Sequence, residues 1–429
     1  MPVADVVDCS ENYFSKAVAV MPGGVSSPVR AFMGLGIIPP ILHSAFEDQW
    51  TCVNGNRYID YCGSWGALIN GHAHPQIIDA VTEAAEKGTS YGLTSLKEIE
   101  FAEYIVSLLP FVDKVRFAAS GTEAAMTAIR MARAYTGKRL VVKFQGHYHG
   151  HSDVLSEQAG SFLLHKKGSG TFSSESEIVV LPYNDFEVFS SFMSERGDSV
   201  AGVIFEPVSA NMGVVLPKPG FLKHVTDSNR NYGIVTIADE VVTGFRLGLL
   251  GARSCYDFTS DLTLFGKIIG GGLPVAAIGG KAEFMDVLMP LGNVFHAGTF
   301  SGNPLGASAG MANLMLCSEP DFYESLEKKT NRFLEPIENF IVERDLPVRV
   351  VRKGSMFCFR FTSKNVSNFA GVEQCDAGLF KDFFLKMYEK GVYLSPSVFE
   401  TGFVSSAHSD FNLDYTVEVV RTSLDELFF

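Results

Sequence analysis

The sequence predicts an α/β protein, with a mostly parallel central sheet covered by helices on both faces and a smaller α+β domain attached to it. Three observations carry that expectation. Between residues 61 and 318, short apolar runs of strand length alternate with amphipathic stretches of helical length. Those runs suit strands buried on both faces, which is the environment of a parallel sheet. The chain, at 429 residues, also exceeds the size at which a single hydrophobic core stops growing, so two domains are expected.

In order along the chain, residues 1–60 are irregular and turn-rich, with Pro-Gly-Gly at 22–24 and Pro-Pro at 39–40. They are expected to pack with the small domain. The large domain, 61–318, has candidate strands at Lys114–Ala118, Leu140–Phe144, Val200–Phe205, Ile234–Ala238, Leu262–Phe265 and Val275–Ile278. Helical stretches fall between several of them, notably Thr122–Tyr135 and Gly220–Tyr232. The small domain, 319–429, reads as a helix over 321–345, strands at Val348–Val351 and Met356–Phe361, a helix over 376–389 and a last helix near 412–427.

A net charge of −13 argues against a nucleic-acid or anionic-membrane partner, so any anionic ligand must be held by local donors. The 35 phenylalanines are spread along the chain and read as core. Seven cysteines are scattered, odd in number and without a CxxC pair, which suits a reducing compartment and neither a disulfide framework nor a zinc ribbon. The first residues carry Asp5, Asp8 and Glu11 in place of a basic start and apolar stretch. The long uncharged stretch Ile268–Gly280 is short and broken by glycines and Pro274. A cytoplasmic protein is expected.

Open parallel sheets bind ligands at the carboxyl ends of their strands, so the residues following each apolar run are where chemistry is expected. After the first run, Ser120 and Glu123 form a capping box at the start of a helix. Gly121 lets a ligand approach the backbone and Thr122 adds a hydroxyl, so free amides and the helix dipole make a phosphate cradle there. An ordinary capped helix has the same signature. The next run ends in Gln-Gly-His-Tyr-His-Gly-His-Ser-Asp, 145–153. His147, His149 and His151 with Asp153 resemble a metallohydrolase ligand set, while Tyr148, pointing the other way, could stack on a flat ring. Asp239 closes a buried run, where a carboxylate is costly unless paired; a pyridinium nitrogen is one such partner. Lys267 lies in an apolar, glycine-rich setting that disfavours its ammonium form, as covalent amine catalysis requires. It is not a Walker lysine, because Ile268 replaces the Ser/Thr. Each signal alone is modest. A phosphate cradle, an aromatic ring, a buried Asp and a desolvated Lys at successive strand ends are together what pyridoxal phosphate needs.

The order Ser-Gly-Thr-Glu-Ala, Tyr-His-Gly, Asp-Glu-Val-x-Thr-Gly-Phe-Arg and Gly-Lys-x-x-Gly-Gly-Gly-x-Pro resembles the class III aminotransferases of pyridoxal-phosphate fold type I. Within that class, residues 22–30, 63–66, 71–75, 297–304 and 395–403 are similar to signatures of the glutamate-1-semialdehyde aminomutases, nearly end to end. The resemblance implies a cofactor, pyridoxal 5'-phosphate alternating with pyridoxamine 5'-phosphate, and a role for each matching residue. Lys267 would bind the cofactor covalently and shuttle the proton. Asp239 would pair with the ring nitrogen and Tyr148 stack on the ring. Ser120, Gly121 and Thr122 would hold the phosphate, joined by Thr299 from the neighbouring subunit of a homodimer. Glu206 and Asn211 would sit near the ring's phenolic oxygen. Ser27 and Arg30 would take the substrate carboxylate, for which a guanidinium fork is suited. Trp65, Ser161 and Glu400 would line the substrate pocket. The reaction implied is intramolecular amino transfer from glutamate-1-semialdehyde to 5-aminolevulinate, for tetrapyrrole (porphyrin) synthesis. The sequence departs from the family pattern at Ala119 and Ser26, and more extensively over 154–181, where a gating loop is expected.

Two other readings compete. An ordinary class III transaminase using 2-oxoglutarate needs a second carboxylate site, and no arginine beyond Arg30 stands out to supply it. A metallohydrolase on the 147–153 cluster leaves Lys267 and Asp239 without a role.

Overall fold

The computed structural model describes residues 4–152, 155, 159 and 177–429. An antiparallel meander comes first, β1 (Leu42–Phe46), β2 (Gln49–Cys52) and β3 (Arg57–Asp60). The central strands follow: β4 (Lys114–Ala118), β5 (Leu140–Phe144), β6 (Ile178–Leu181), β7 (Val200–Phe205), β8 (Val235–Asp239), β9 (Leu262–Phe265) and β10 (Ala276–Gly280). The chain ends with β11 (Arg349–Lys353), β12 (Met356–Arg360), β13 (Val392–Tyr393) and β14 (Gly402–Phe403).

The central sheet has the order β4-β10-β9-β8-β7-β5-β6. Strands β9, β8, β7, β5 and β6 pair in parallel, whereas β10 is antiparallel to both neighbours, β4 and β9. The predicted α/β class is therefore the one observed. Strands β5, β7, β8 and β9 are buried along their whole length because alternate residues enter two different cores. Val142, Phe144, Val203 and Phe205 face one layer with Phe189 and Phe221. Val141, Ile204, Ile237 and Leu264 face the other. On that second face lies the helix Gly121–Thr136, whose Ala124, Ala125, Ala128 and Ala132 are fully buried. The i, i+1, i+4, i+8 spacing of these small side chains makes a narrow apolar stripe that lets the helix lie close to the sheet.

The expectation that residues 1–60 are irregular is corrected. They contain a 17-residue helix, Ala4–Val20, and the three meander strands. β13 pairs in parallel with β3, and β11, β12 and β14 form a separate antiparallel sheet. The strand Ile178–Leu181 was not among the expected ones and adds the outer edge of the central sheet. No helix among the described residues is long and apolar enough to cross a membrane.

Candidate active site

The carboxyl ends of β4, β5, β7, β8 and β9 open on one cavity of 720 Å³. The antiparallel β10 contributes through its entry segment, Leu273 to Val275. Of the predicted site residues, the cavity gathers Ser27, Arg30, Trp65, Ser120, Gly121, Thr122, Tyr148, Glu206, Asn211, Asp239, Lys267 and Glu400. Thr299 is exposed and does not line it within the same chain. Ser161, Asp153 and most of the expected gating segment lie outside the described residues.

The phosphate-cradle geometry begins at Ser120, whose hydroxyl accepts the Glu123 N–H at 3.3 Å. The Glu123 carboxylate accepts in turn from the N–H of Ala119 at 2.8 Å, one residue earlier than in the usual reciprocal box. Gly121 and Thr122 are the first helical residues, whose amides have no acceptor inside the helix. Gly150 holds the opposite wall with φ of +90°, and a Cβ there would lie 2.5 Å from the Thr122 hydroxyl. Only glycine can bring that backbone so close to the cradle.

Asp239 and Glu240, adjacent at the end of β8, have separate fates. Glu240 turns away and is clasped by Arg253 at 3.2 Å, the Ala252 N–H at 2.7 Å and Thr243 at 3.1 Å. Asp239 faces the cavity, accepting the Val241 N–H at 3.0 Å and meeting His149 Nδ1 at 2.7 Å. Burial pushes Asp239 up to about 7, against the pull of the Val241 N–H and the Lys267 charge. Burial, with Lys143 nearby, drives His149 well below the usual histidine range, so its ring is neutral and its Nδ1–H donates to Asp239. An anionic Asp239 thus needs a cation in front of it, and a protonated ring nitrogen is such a group.

Glu206, at the end of β7, is a clamp: its two oxygens accept from the N–H groups of Tyr148 at 2.7 Å and Ala210 at 2.8 Å. Its own N–H donates to His147 Nδ1 at 3.0 Å. Burial and then the charge of Asp239 push the Glu206 carboxyl to about 7. Tyr148 lines one wall of the cavity and Val241 another, the latter packed against Gly121 and Gly266. His147 and His149 are therefore spent on a backbone amide and on Asp239, and His151 lies against Thr122 at 3.3 Å. Among the described residues no cluster of three or more His, Cys, Asp or Glu could hold a metal ion.

Lys267 follows β9 in the left-handed region, φ +49°. A residue with a Cβ held there costs about 1–3 kcal/mol, which the surroundings must impose. They do so through Asn313, whose side-chain amide donates to the Ile268 carbonyl at 2.7 Å from the buried helix Pro304–Cys317. Burial lowers the Lys267 ammonium, while Glu400, Glu206 and Asp239 oppose that shift. Glu400 reaches the cavity from the segment before β14, and burial raises it to about 7 against the attraction of Lys267.

Glu400 gives a prediction with a definite sign. When folded it holds its proton up to about 7, whereas the unfolded group loses it near 4.5. The wild-type fold therefore loses stability as pH rises through that window. Glu400→Gln lacks this loss. Without cofactor, its stability relative to wild type should rise between pH 4.5 and 7, to roughly 3 kcal/mol at the upper end, since one pKa unit is worth about 1.4 kcal/mol. Thermal melts of both proteins at the two pH values check this; a pH-independent difference would contradict it.

His149 as the partner of Asp239 and Val241 as a cavity wall were not anticipated. Val241 stands in the Asp-Glu-Val motif, so its place was visible; the His149 contact joins residues 90 apart and was not.

A flat aromatic ring with a phosphate at one end and a ring nitrogen at the other fits these walls. Such a site, with a lysine amine at its floor, is that of a pyridoxal-phosphate enzyme of the aminotransferase kind. The model of the family "Aminotransferase class-III" matches residues 46–402. A protein named glutamate-1-semialdehyde 2,1-aminomutase from Chlamydia abortus is 47% identical over 432 aligned residues, covering 99% of both chains. One of the same name from Desulfitobacterium hafniense is 45% identical over 97% of this chain and 98% of its own. The crystal structure of an omega-transaminase from Sphaerobacter thermophilus superposes with a TM-score of 0.89 at 29% identity, covering 97% of each chain. The chain belongs to the class III aminotransferases and, within them, to the family of glutamate-1-semialdehyde 2,1-aminomutases.

Proposed function

We propose that the enzyme converts glutamate-1-semialdehyde to 5-aminolevulinate by intramolecular amino transfer, in the cytoplasm, as a step of tetrapyrrole synthesis. The observation that favours this over transfer to an external keto acid is the charge of the cavity. Among the described residues that line it, Arg30 is the one guanidinium, and three carboxylates, Glu206, Asp239 and Glu400, face the same space. One arginine serves a substrate with one carboxylate; 2-oxoglutarate carries two.

Pyridoxal 5'-phosphate, alternating with its pyridoxamine form, supplies when bound an electron sink and a carrier for the amino group. The residues of this chain do the rest. The amides of Gly121 and Thr122, with the Ser120 and Thr122 hydroxyls, hold the phosphate. Asp239, oriented by the neutral His149, keeps a proton on the ring nitrogen. Tyr148 and Val241 would confine the ring, and Glu206 with Asn211 would hold its phenolic oxygen. Lys267 Nζ, its ammonium lowered by burial, takes a proton from one substrate carbon and returns one to another. Ser27 and Arg30 anchor the substrate carboxylate, and Trp65 and Glu400 close the substrate end. The large cofactor-binding domain spans 61–318, with residues 1–60 packing on a small domain at 319–429.

A second copy of the chain completes the site in this reading. Leu93, Leu96, Phe295 and Phe300 are 83, 71, 64 and 63% exposed, large apolar side chains that a partner would cover. Thr299, next to Phe300 in the chain, is exposed and does not line its own cavity, as expected of a residue serving the neighbouring subunit's phosphate. Mixed dimers test this. Lys267→Ala and Thr299→Ala chains, each defective alone, should regain one site of wild-type cofactor affinity when co-assembled. Mixtures no better than the Thr299→Ala homodimer would contradict it.

A further inference from the structure

Arg246 belongs to the Asp-Glu-Val-x-Thr-Gly-Phe-Arg segment but does not line the cavity. It is 1% exposed and, among the described residues, makes no ion pair with a carboxylate. A buried guanidinium without a counter-anion is costly, so what it touches explains why it is there. Its Nη2 donates to the carbonyl of Gly66 at 2.6 Å and its Nη1 to the hydroxyl of Ser355 at 2.9 Å. Its plane lies over the Phe403 ring, 4.7 Å from the centroid.

Gly66 ends an unusual turn. Gly63, Ser64, Trp65 and Gly66 have successive φ values of 51, 52, 61 and 86°, all left-handed, although two of the four carry a Cβ. Trp65, in the middle, sends its side chain into the cavity. The start of the turn is fixed by Asp60, whose Oδ1 accepts the N–H groups of Cys62 at 2.8 Å and Gly63 at 3.1 Å. Its end is fixed by Arg246. The Phe403 ring also packs on this end, since a Cβ on Gly66 would come within 2.7 Å of it. Phe403 lies three residues beyond Glu400, and its N–H donates to the Tyr61 carbonyl at 2.7 Å. One cation therefore ties together the segment after β8, the β11–β12 turn and the turn that carries Trp65.

We propose that Arg246 is a positioning residue for the substrate end of the cavity: by holding the Gly66 carbonyl it keeps the left-handed turn closed and Trp65 turned inward against the substrate. A lysine at this position keeps the positive charge, which also bears on Lys267, but replaces the rigid planar fork with a compact ammonium that does not reproduce its two-pronged geometry over the Phe403 ring. The inference rests on the reaction assigned above only where substrate is measured, so its primary readout is independent of substrate.

The chain has two tryptophans, and Trp50 is buried against Tyr58 away from the cavity. In the holoenzyme with Trp50→Phe, emission reports Trp65 alone. Adding Arg246→Lys should shift that emission to longer wavelength and raise its quenching by acrylamide about twofold. In the same protein, KM for glutamate-1-semialdehyde should rise about tenfold with kcat changed less than about threefold, the mark of lost substrate binding. A role in stability alone would lower the melting temperature and leave Trp65's emission and quenching unchanged, and that result overturns the proposal. If Arg246→Lys fails to accumulate with bound cofactor, Ser355→Ala, which removes one partner of the fork, carries the same test with a smaller shift in the same direction; no shift there overturns it. Wild-type protein inert toward glutamate-1-semialdehyde would count against the assigned reaction, while the fluorescence still decides on Arg246.

Discussion

Replacing Lys267 with arginine is expected to reduce turnover by about 10³–10⁴-fold while the cofactor stays bound. The reasons lie in its surroundings. Lys267 sits at the floor of the cavity, where burial lowers its ammonium and three carboxylates prevent that shift from running further. An amine poised in this way can lose and regain a proton; a guanidinium cannot, being protonated at every working pH. The phosphate cradle on the helix Gly121–Thr136 and the carboxylate of Asp239 are untouched by the change, so retention is expected to persist. Product formation, measured beside the absorbance of bound cofactor in the same sample, separates the two effects. Substantial residual turnover would remove Lys267 from the proton path.

The second large effect is expected at Asp239. Asp239→Asn is isosteric: its remaining carbonyl oxygen can still accept the Val241 N–H, and its amide can donate to His149 Nδ1 once that neutral ring takes its other tautomer, so the local fold should hold. The charge that keeps a proton on the ring nitrogen is lost, and turnover should fall by about 10²–10³-fold, the range seen when one preorganised electrostatic partner is removed. A second consequence has a fixed direction. The charge of Asp239 is one of the causes that raise Glu206, so in the variant the Glu206 carboxyl should titrate below its present value of about 7. Rates, together with the pH dependence of the bound-cofactor absorption band, check both. Turnover near the wild-type rate would show that the ring nitrogen needs no carboxylate here.

Much of this was legible in the sequence, and what was missed has physical causes. Leu140–Phe144, Val200–Phe205 and Leu262–Phe265 were bounded as observed, because a strand buried on both faces reads as a mainly apolar run, here broken only by the buried Lys143 and Thr263. The direction of β10 was not legible: nothing in the run around Ala276–Gly280 distinguishes an antiparallel buried strand from a parallel one. The helix Ala4–Val20 and the meander after it were hidden by the turn signals at 22–24 and 39–40, which describe the connections between elements and say nothing of the elements themselves. Strand Ile178–Leu181 follows the divergent stretch, where no motif marks it.

The candidate site divides in the same way. Asp239 ends a strand and Ser120, Thr122, Tyr148 and Lys267 each stand shortly after one, so position along the chain implied position in the cavity. The groups that hold them in place did not announce themselves. His149 meets Asp239 across 90 residues, Arg246 meets Gly66 across 180, and the Thr401 hydroxyl meets the Ala210 carbonyl across 191. Such contacts are made by the tertiary fold and leave no local periodicity. Three histidines at alternate positions also offered a metal as a minor reading, and the observed partners of His147 and His149 show what those two rings do instead.

The most direct test of the central claim gives purified holoenzyme glutamate-1-semialdehyde as its sole substrate, with no keto acid and no added amine donor, and measures 5-aminolevulinate over many turnovers. The account predicts sustained product formation that 2-oxoglutarate does not accelerate, because donor and acceptor are the same molecule and the cavity offers one guanidinium. No 5-aminolevulinate, with glutamate-1-semialdehyde consumed only when 2-oxoglutarate is supplied to accept its amino group, would contradict it.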